Sequence, residues 1–194
     1  MQGYILAGLV LGSVYAISAL GLVLTYSSSR VVNFAHGATA YAVAVFYHWL
    51  NQEQGWSIPA SAVVSLLVFS PLLGIALWGL LFRWLTHAPA EVRFLATVGL
   101  WVALPAAVRI VFPFSQGEIT QPQGLVRLPA EIFRLRIFDL SINANQVAIL
   151  AGGVVVVVGL TVLLRATPIG LVTRATVDSP RSAEVSGINT TLVT

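Results

Sequence analysis

The feature that most constrains this chain is a series of long apolar stretches without charge. The first, residues 4–26, contains no acidic or basic residue, and about 20 apolar residues are enough to cross a bilayer as a helix. Four more stretches approach that length: 31–50, 58–82, 94–112 and 146–164. Charged residues make up only 9% of the chain, against about 25% in soluble domains. The sequence therefore predicts an all-α, polytopic integral membrane protein with about five transmembrane helices in the lipid bilayer.

Composition excludes several classes of function. The chain has no cysteine, so it has no disulfide framework and no thiolate metal site. All ten of its basic residues are arginine, so a P-loop lysine is absent and ATP must be hydrolysed by another chain. A net charge of +3, scattered along the chain, does not indicate nucleic-acid binding. No metal and no cofactor are expected in this chain.

The arginines predict an orientation. Cytoplasmic loops of membrane proteins carry an excess of basic residues, and no basic residue precedes the first apolar stretch. If the N-terminus lies outside the cytoplasm, successive loops lie on alternate sides of the membrane, and more arginines lie inside than outside. The inside set is Arg30, Arg83, Arg93, Arg165, Arg174 and Arg181, and the outside set is Arg127, Arg134 and Arg136.

Two long polar segments separate or follow the spans. In residues 113–145, apolar and polar residues alternate, with a phase slip between Ile137 and Phe138 like that at a β-bulge. This pattern predicts a small β-ribbon on the outer face, with 125–128 as a candidate partner strand. Residues 165–190 carry two cap-and-proline signals, at Thr167 and Ser179. They predict short helices on the cytoplasmic side.

Small residues recur on one face of the first span. Gly8, Gly12 and Ala16 are four residues apart, which is typical of a face that another helix approaches closely. Ser13 and Tyr15 bring hydroxyl groups into the same span. This face is compatible with helix packing and with a substrate contact. The hydroxyl groups decide little between the two, because isolated hydroxyls commonly bond back to their own helix.

The sequence NFAHG at 33–37 is the most distinctive local motif. Asn33 is a candidate N-cap, which would place His36 at the third helical position. The N-terminus of a helix at membrane depth can hold an anionic substrate group. The alternative is that Asn33 and His36 only cap and orient the helix and that Gly37 allows close packing. A lone histidine is a poor metal site.

These motifs resemble a known family. LGSVYA at 11–16, ALGL at 19–22, Tyr26 and NFAHG at 33–37 are similar to the opening of bacterial branched-chain amino-acid ABC permeases of the LivH type. RAT at 174–176, Asp178, Ala183 and GIN at 187–189 resemble the cytoplasmic coupling segment of that family. The spacing of the two blocks and the intervening ribbon also fit, so the resemblance covers the whole chain.

The resemblance implies a single transmembrane permease domain in the bacterial inner membrane that is not itself an enzyme. Its expected partners are a second permease subunit, two cytoplasmic ATP-binding subunits and an extracytoplasmic solute-binding protein. The family also places the N-terminus outside and the segment 165–190 in the cytoplasm. The resemblance also implies that Asn33, His36 and Gly37 belong to an element near the substrate pathway. The residues expected to touch the ATPase are Arg174, Ala175, Asp178, Arg181, Ala183 and Gly187.

The chain also departs from the family. Residues 38–46 contain Tyr41 but no glycine, where the family usually has a methionine and a Gly-Ala-Tyr group. Family members have about eight spans and nearly 300 residues, so these 194 residues are expected to be a C-terminally truncated permease that does not transport alone.

Three alternatives stay open beside branched-chain amino-acid import: a permease for urea, short-chain amides or other amino acids, a membrane assembly protein without transport, and an intramembrane enzyme. The enzyme is disfavoured because every Asp and Glu falls in a predicted loop or tail.

Overall fold

The described part of the chain consists of long helices and a short β-hairpin. The computed structural model describes residues 2–29, 31–85, 88–113, 135–137, 140–142, 144–167 and 170. Its helices are α1 (Gln2–Ser29), α2 (Ala35–Gln52), α3 (Ile58–Leu85), α4 (Ala90–Val111) and α5 (Ala144–Ala166). The five predicted apolar stretches correspond one to one with these helices, which confirms the all-α polytopic class.

Four of the five helices are long and apolar enough to cross a membrane: α1, α3, α4 and α5. Helix α2 is not among them, so a fifth span stays a prediction. Helix α2 has only 18 residues, and its polar residues include the buried His48 and Asn51. It is also rich in buried small residues, among them Ala35, Ala38 and Ala42. Its sequence is therefore suited to contact with protein more than with lipid.

Helix α3 is continuous but irregular. Two π-helical segments, Ser65–Phe69 and Trp78–Phe82, interrupt its α-geometry. The first segment ends two residues before Pro71, which has no backbone N–H and cannot make the regular i→i−4 bond. A π-segment is one way in which a helix accommodates that loss. The sequence showed the proline but not the altered geometry before it.

The β-hairpin joins β1 (Leu135–Ile137) to β2 (Leu140–Ile142). The strands are antiparallel, and Ile137 pairs with Leu140. The phase slip after Ile137 is therefore a chain reversal and not a bulge within one strand, which corrects that expectation. The predicted ribbon itself is present, while its candidate partner 125–128 lies outside the described residues. Its position on the outer face stays a prediction.

The chain divides into two compact units. The first, Met1–Val32 with Pro129–Thr194, contains α1, the hairpin and α5. In this unit α1 packs on α5 near Gly153, where an added Cβ would lie 3.5 Å from Cδ1 of Ile17 and 3.7 Å from Cβ of Ser13. Whether the chain is a single transmembrane domain stays a prediction.

The second unit, Asn33–Leu128, contains α2, α3 and α4. Helix α2 packs on α4 and on α3, and the buried cluster between these helices is Ala38, Ala42, Val45, Leu104 and Val108. The connection from α2 to α3 turns at Gly55, whose φ of 68° lies in the left-handed region. The amide of Asn51 donates to the Trp56 carbonyl oxygen over 2.9 Å and closes this connection.

Candidate functional site

The N-terminus of α2 is capped by protein groups. The helix begins at Ala35 with Phe34 at the N-cap position, so His36 is the second helical residue, and the predicted N-cap at Asn33 is one residue too early. Asn33 nevertheless has a capping role. Its Oδ1 accepts the Ala35 N–H over 3.0 Å, and its carbonyl oxygen accepts the His36 N–H over 3.2 Å.

Thr97 of α4 completes this cap. Its Oγ1 accepts the Phe34 N–H over 3.3 Å and donates to the Phe94 carbonyl oxygen over 2.8 Å. The Phe34 and Phe94 rings also meet edge to face, with centroids 5.3 Å apart. The N–H groups of Phe34, Ala35 and His36 thus already have partners, and an anion would have to compete with them. This geometry favours the capping role of the motif over a substrate site at the helix end.

The side chain of His36 lines a groove between α2 and α3, with a volume of about 620 Å³. Ligand clefts in proteins commonly have volumes of about 300–1,000 Å³. Helix α2 contributes one face, and α3 contributes its first π-segment and the turn after Pro71. The lining residues are His36, Thr39, Ala40, Val43, Ala44 and Tyr47 of α2, and Ala62, Ser65, Leu66, Ser70, Leu73 and Gly74 of α3.

The groove has two different ends. His36 and Tyr47 mark its extent on α2 and are separated by about 16 Å along the axis at 1.5 Å per residue. Because the short connection 53–57 makes α2 and α3 antiparallel neighbours, Tyr47 and Ser65 both lie toward that connection. Neither the Tyr47 hydroxyl nor Ser65 Oγ has a hydrogen-bond partner among the residues that the structure describes. We call this part of the groove, formed by Tyr47 and Ser65, the hydroxyl end.

Sequence reasoning missed the hydroxyl end. Ser65 is 1% exposed, yet in the sequence it is one serine among several in an apolar stretch. The available signal was its place six residues before Pro71, at the start of a turn that the proline distorts. Tyr47 stands beside His48, and only the packing of α2 shows which of the two faces the groove.

Gly37 does not mediate a close approach within the described residues. It is exposed, and a Cβ placed there would meet nothing within 4 Å. The same holds for Gly8 and Gly12 of α1. Close packing on these faces therefore stays a prediction.

The hydroxyl-bearing residues of α1 belong to the first compact unit. Ser13 Oγ donates to the Val10 carbonyl oxygen over 2.7 Å, which is a bond within its own helix. Tyr15 is 65% exposed. A role for Gly12, Ser13 or Tyr15 in a pathway stays a prediction.

The predicted coupling residues lie outside the described part of the chain. This applies to Arg174, Ala175, Asp178, Arg181, Ala183 and Gly187. Within the described ranges, no group of three His, Cys, Asp or Glu residues is placed to hold a metal ion.

Comparison with known proteins identifies the family. The family described as "Branched-chain amino acid transport system / permease component" matches residues 4–194. The high-affinity branched-chain amino acid transport system permease protein LivH of Escherichia coli K12 is 23% identical over 196 residues, which cover 94% of this chain and 61% of that protein. The protein of the same name from Salmonella typhimurium LT2 is 22% identical over the same shares.

No solved structure matches the chain. The chain spans 61% of the length of the curated relatives that it matches. The family match extends from the first span through the tail and includes both motifs on which the resemblance rests. With four helices of membrane-crossing length among its described residues, this chain belongs to the family of permease components of branched-chain amino acid transport systems.

Proposed function

We propose that this chain is a transmembrane permease subunit of an ATP-driven importer for branched-chain amino acids in the bacterial inner membrane. The observation that carries the proposal is the family match over residues 4–194. The relatives, which are named as high-affinity branched-chain amino acid transport permeases, support the same substrate class.

The partners proposed are a second permease, two cytoplasmic ATP-binding subunits and an extracytoplasmic solute-binding protein. Two features of the chain support a multi-subunit machine. It contains no lysine for a P-loop, and its candidate spans bury 17% or less of their residues among the described parts of the chain. Surfaces of that kind in a membrane protein are covered by lipid or by further helices.

The walls of the groove favour an aliphatic substrate over urea or a small amide. Six of the lining residues have aliphatic side chains: Ala40, Val43, Ala44, Ala62, Leu66 and Leu73. In an apolar pocket, each methylene group of a ligand changes the free energy of binding by about 1–3 kcal/mol. Urea has no aliphatic group to place against such a wall. We therefore infer that branched-chain amino acids, and not amides, are the cargo.

Movement would be driven from the cytoplasmic segment 165–190. In this proposal, the helix that carries Arg174, Asp178 and Arg181 docks on an ATPase subunit, and ATP-dependent closure of the ATPases tilts the attached spans. Alternating access then results from rocking of one set of helices against another.

The proposed coupling is tested in the full-length permease by replacing Arg174, Asp178 and Arg181 together with alanine. We expect the variant to insert normally and to pair with the second permease but to lose co-purification of the ATPases. The control is a triple replacement of Arg127, Arg134 and Arg136, which belong to the segment predicted outside. Unchanged ATPase co-purification and unchanged uptake in the first variant would contradict the docking role.

A further inference from the structure

We propose that the hydroxyl end of the groove, formed by Tyr47 and Ser65, holds the α-carbon polar groups of an aliphatic amino acid while the apolar walls receive its side chain. This inference rests on the proposed import function and names the residues of this subunit that contact the cargo.

Ser65 is the first observation. Serine and threonine hydroxyls inside helices commonly bond to a carbonyl oxygen in the preceding turn. Ser61, one turn earlier on the same helix, does so, since its Oγ donates to the Ser57 carbonyl oxygen over 3.0 Å. Ser65 is as deeply buried, at 1% exposed against 0% for Ser61, but its Oγ has no partner among the described residues. A buried hydroxyl without a partner costs about 1–3 kcal/mol, so this position is suited to a polar ligand group.

Tyr47 is the second observation, and it comes from the opposite wall. Its hydroxyl is buried and has no hydrogen-bond partner in the part of the chain that is described. Buried tyrosine hydroxyls usually have one. Tyr47 and Ser65, one from each helix and each with a buried hydroxyl that has no partner among the described residues, thus line the same end of one groove. Each can both donate and accept a hydrogen bond, so together they can serve a carboxylate and an ammonium group.

The rest of the lining explains where the side chain of the cargo would lie. Beyond the hydroxyl end, α2 presents Ala40, Val43 and Ala44, and α3 presents Leu66 and Leu73. None of the lining residues is Asp, Glu, Lys or Arg. Such a surface suits a small molecule with one polar end and one branched aliphatic end.

The opposite end of the groove is less suited to the polar groups of the cargo. It lies near the N-terminus of α2, where the N–H groups of Phe34, Ala35 and His36 already donate to Asn33 and Thr97. The hydroxyl end instead lies toward the connection 53–57. In the proposed topology that connection is outside, which is the side from which a solute-binding protein delivers its ligand.

The test is equilibrium binding of radiolabelled leucine to the full-length permease, purified with its partner permease and ATPases but without the solute-binding protein. Ser65→Ala and Tyr47→Phe each remove one hydroxyl and little else. We expect each to raise the Kd for leucine about three- to tenfold, the loss of one hydrogen bond. Ser61→Ala is the matched control because its hydroxyl is bonded within its own helix, and we expect its Kd to be unchanged.

The number of leucine sites per complex separates a lost contact from misfolding. A lost contact leaves the site number constant and raises Kd, whereas misfolding lowers the site number. An unchanged Kd in both Ser65→Ala and Tyr47→Phe overturns the inference, whatever the site number. A wild-type complex that imports leucine but has no saturable leucine site also overturns it and leaves the import function standing. A wild-type complex that imports no branched-chain amino acid overturns the proposed function itself.

Discussion

The ring of Phe46 on α2 stacks on the ring of Phe69 in the first π-segment of α3, with centroids 4.1 Å apart and planes inclined by 19°. Phe112, just after α4, meets both rings edge to face, at 5.2 Å from Phe46 and 5.9 Å from Phe69. This aromatic cluster joins the three helices of the second compact unit. It thereby fixes the π-segment against α2, and the groove lies between those two elements.

Phe46→Leu keeps an apolar side chain but removes the aromatic pairing, which contributes about 0.5–1.5 kcal/mol per pair. We expect a lower midpoint of thermal unfolding for the full-length permease in detergent, measured by intrinsic fluorescence. Trp101→Leu serves as the control because Trp101 is an exposed aromatic residue of α4. A midpoint that falls equally in both variants would contradict a specific role for the stack.

Thr97→Val tests the cap of α2. Valine has the shape of threonine but cannot accept the Phe34 N–H, so the helix loses a bond of about 0.5–1.5 kcal/mol. We expect faster amide hydrogen exchange at 34–36, measured by mass spectrometry. Thr161→Val is the control, since the Thr161 hydroxyl bonds only to the Val157 carbonyl oxygen among the contacts described. Exchange at 34–36 that is the same in both variants would show that Thr97 does not hold this helix end.

Pro71→Ala tests whether the π-segment serves transport. Alanine restores the backbone N–H, which allows residues 65–69 to approach α-geometry and turn Ser65 away from the groove. We expect unchanged or higher thermal stability together with at least a threefold loss of leucine uptake by the full complex, in line with the loss of one hydrogen bond.

The control for this variant is Pro105→Ala in α4. Pro105 also lies inside a helix, but no π-segment accompanies it. Its replacement should leave uptake close to that of the wild type. Full uptake by Pro71→Ala would mean that the distortion of α3 has no part in the pathway.

The helices could be predicted from the sequence because bilayer thickness imposes one length on apolar stretches. All five predicted stretches overlap a helix, although most helices extend a few residues beyond the apolar limits because their ends are polar. The apolar stretches did not show that α2 differs from the other four described helices, each of which is long and apolar enough to cross a membrane. Hydrophobic residues in α2 serve packing against α3 and α4, and a list of apolar positions does not distinguish a lipid-facing helix from a protein-facing one.

Only the end of the groove that contains His36 could be predicted from the sequence. His36 was singled out, and it does line the groove. Tyr47 and Ser65 were not, because their importance lies in a missing hydrogen bond and in a π-segment, and both depend on three-dimensional geometry. The hairpin could not be predicted in full for a similar reason. A break in the alternation of apolar and polar residues is compatible both with a bulge in one strand and with a reversal of the chain.

The proposed orientation can be tested with single cysteines, because these 194 residues contain none of their own. Gln54→Cys lies in the connection from α2 to α3, and Glu91→Cys lies in the first turn of α4; both positions are exposed. With the N-terminus outside, a membrane-impermeant maleimide added to intact spheroplasts should label Gln54→Cys and not Glu91→Cys. Labelling of both in lysed membranes is the control, and the reverse pattern in spheroplasts would invert the topology.

The central claim is that this chain works as the permease subunit of an ATP-driven branched-chain amino-acid importer. It is tested most directly by ATP-dependent uptake of radiolabelled leucine into proteoliposomes that contain the full-length permease, its partner permease, the ATPases and the solute-binding protein. We expect leucine accumulation that requires ATP and this subunit, with isoleucine and valine competing and urea not competing. Leucine uptake that is the same without this subunit, or a complete complex that accumulates no branched-chain amino acid, would contradict the account.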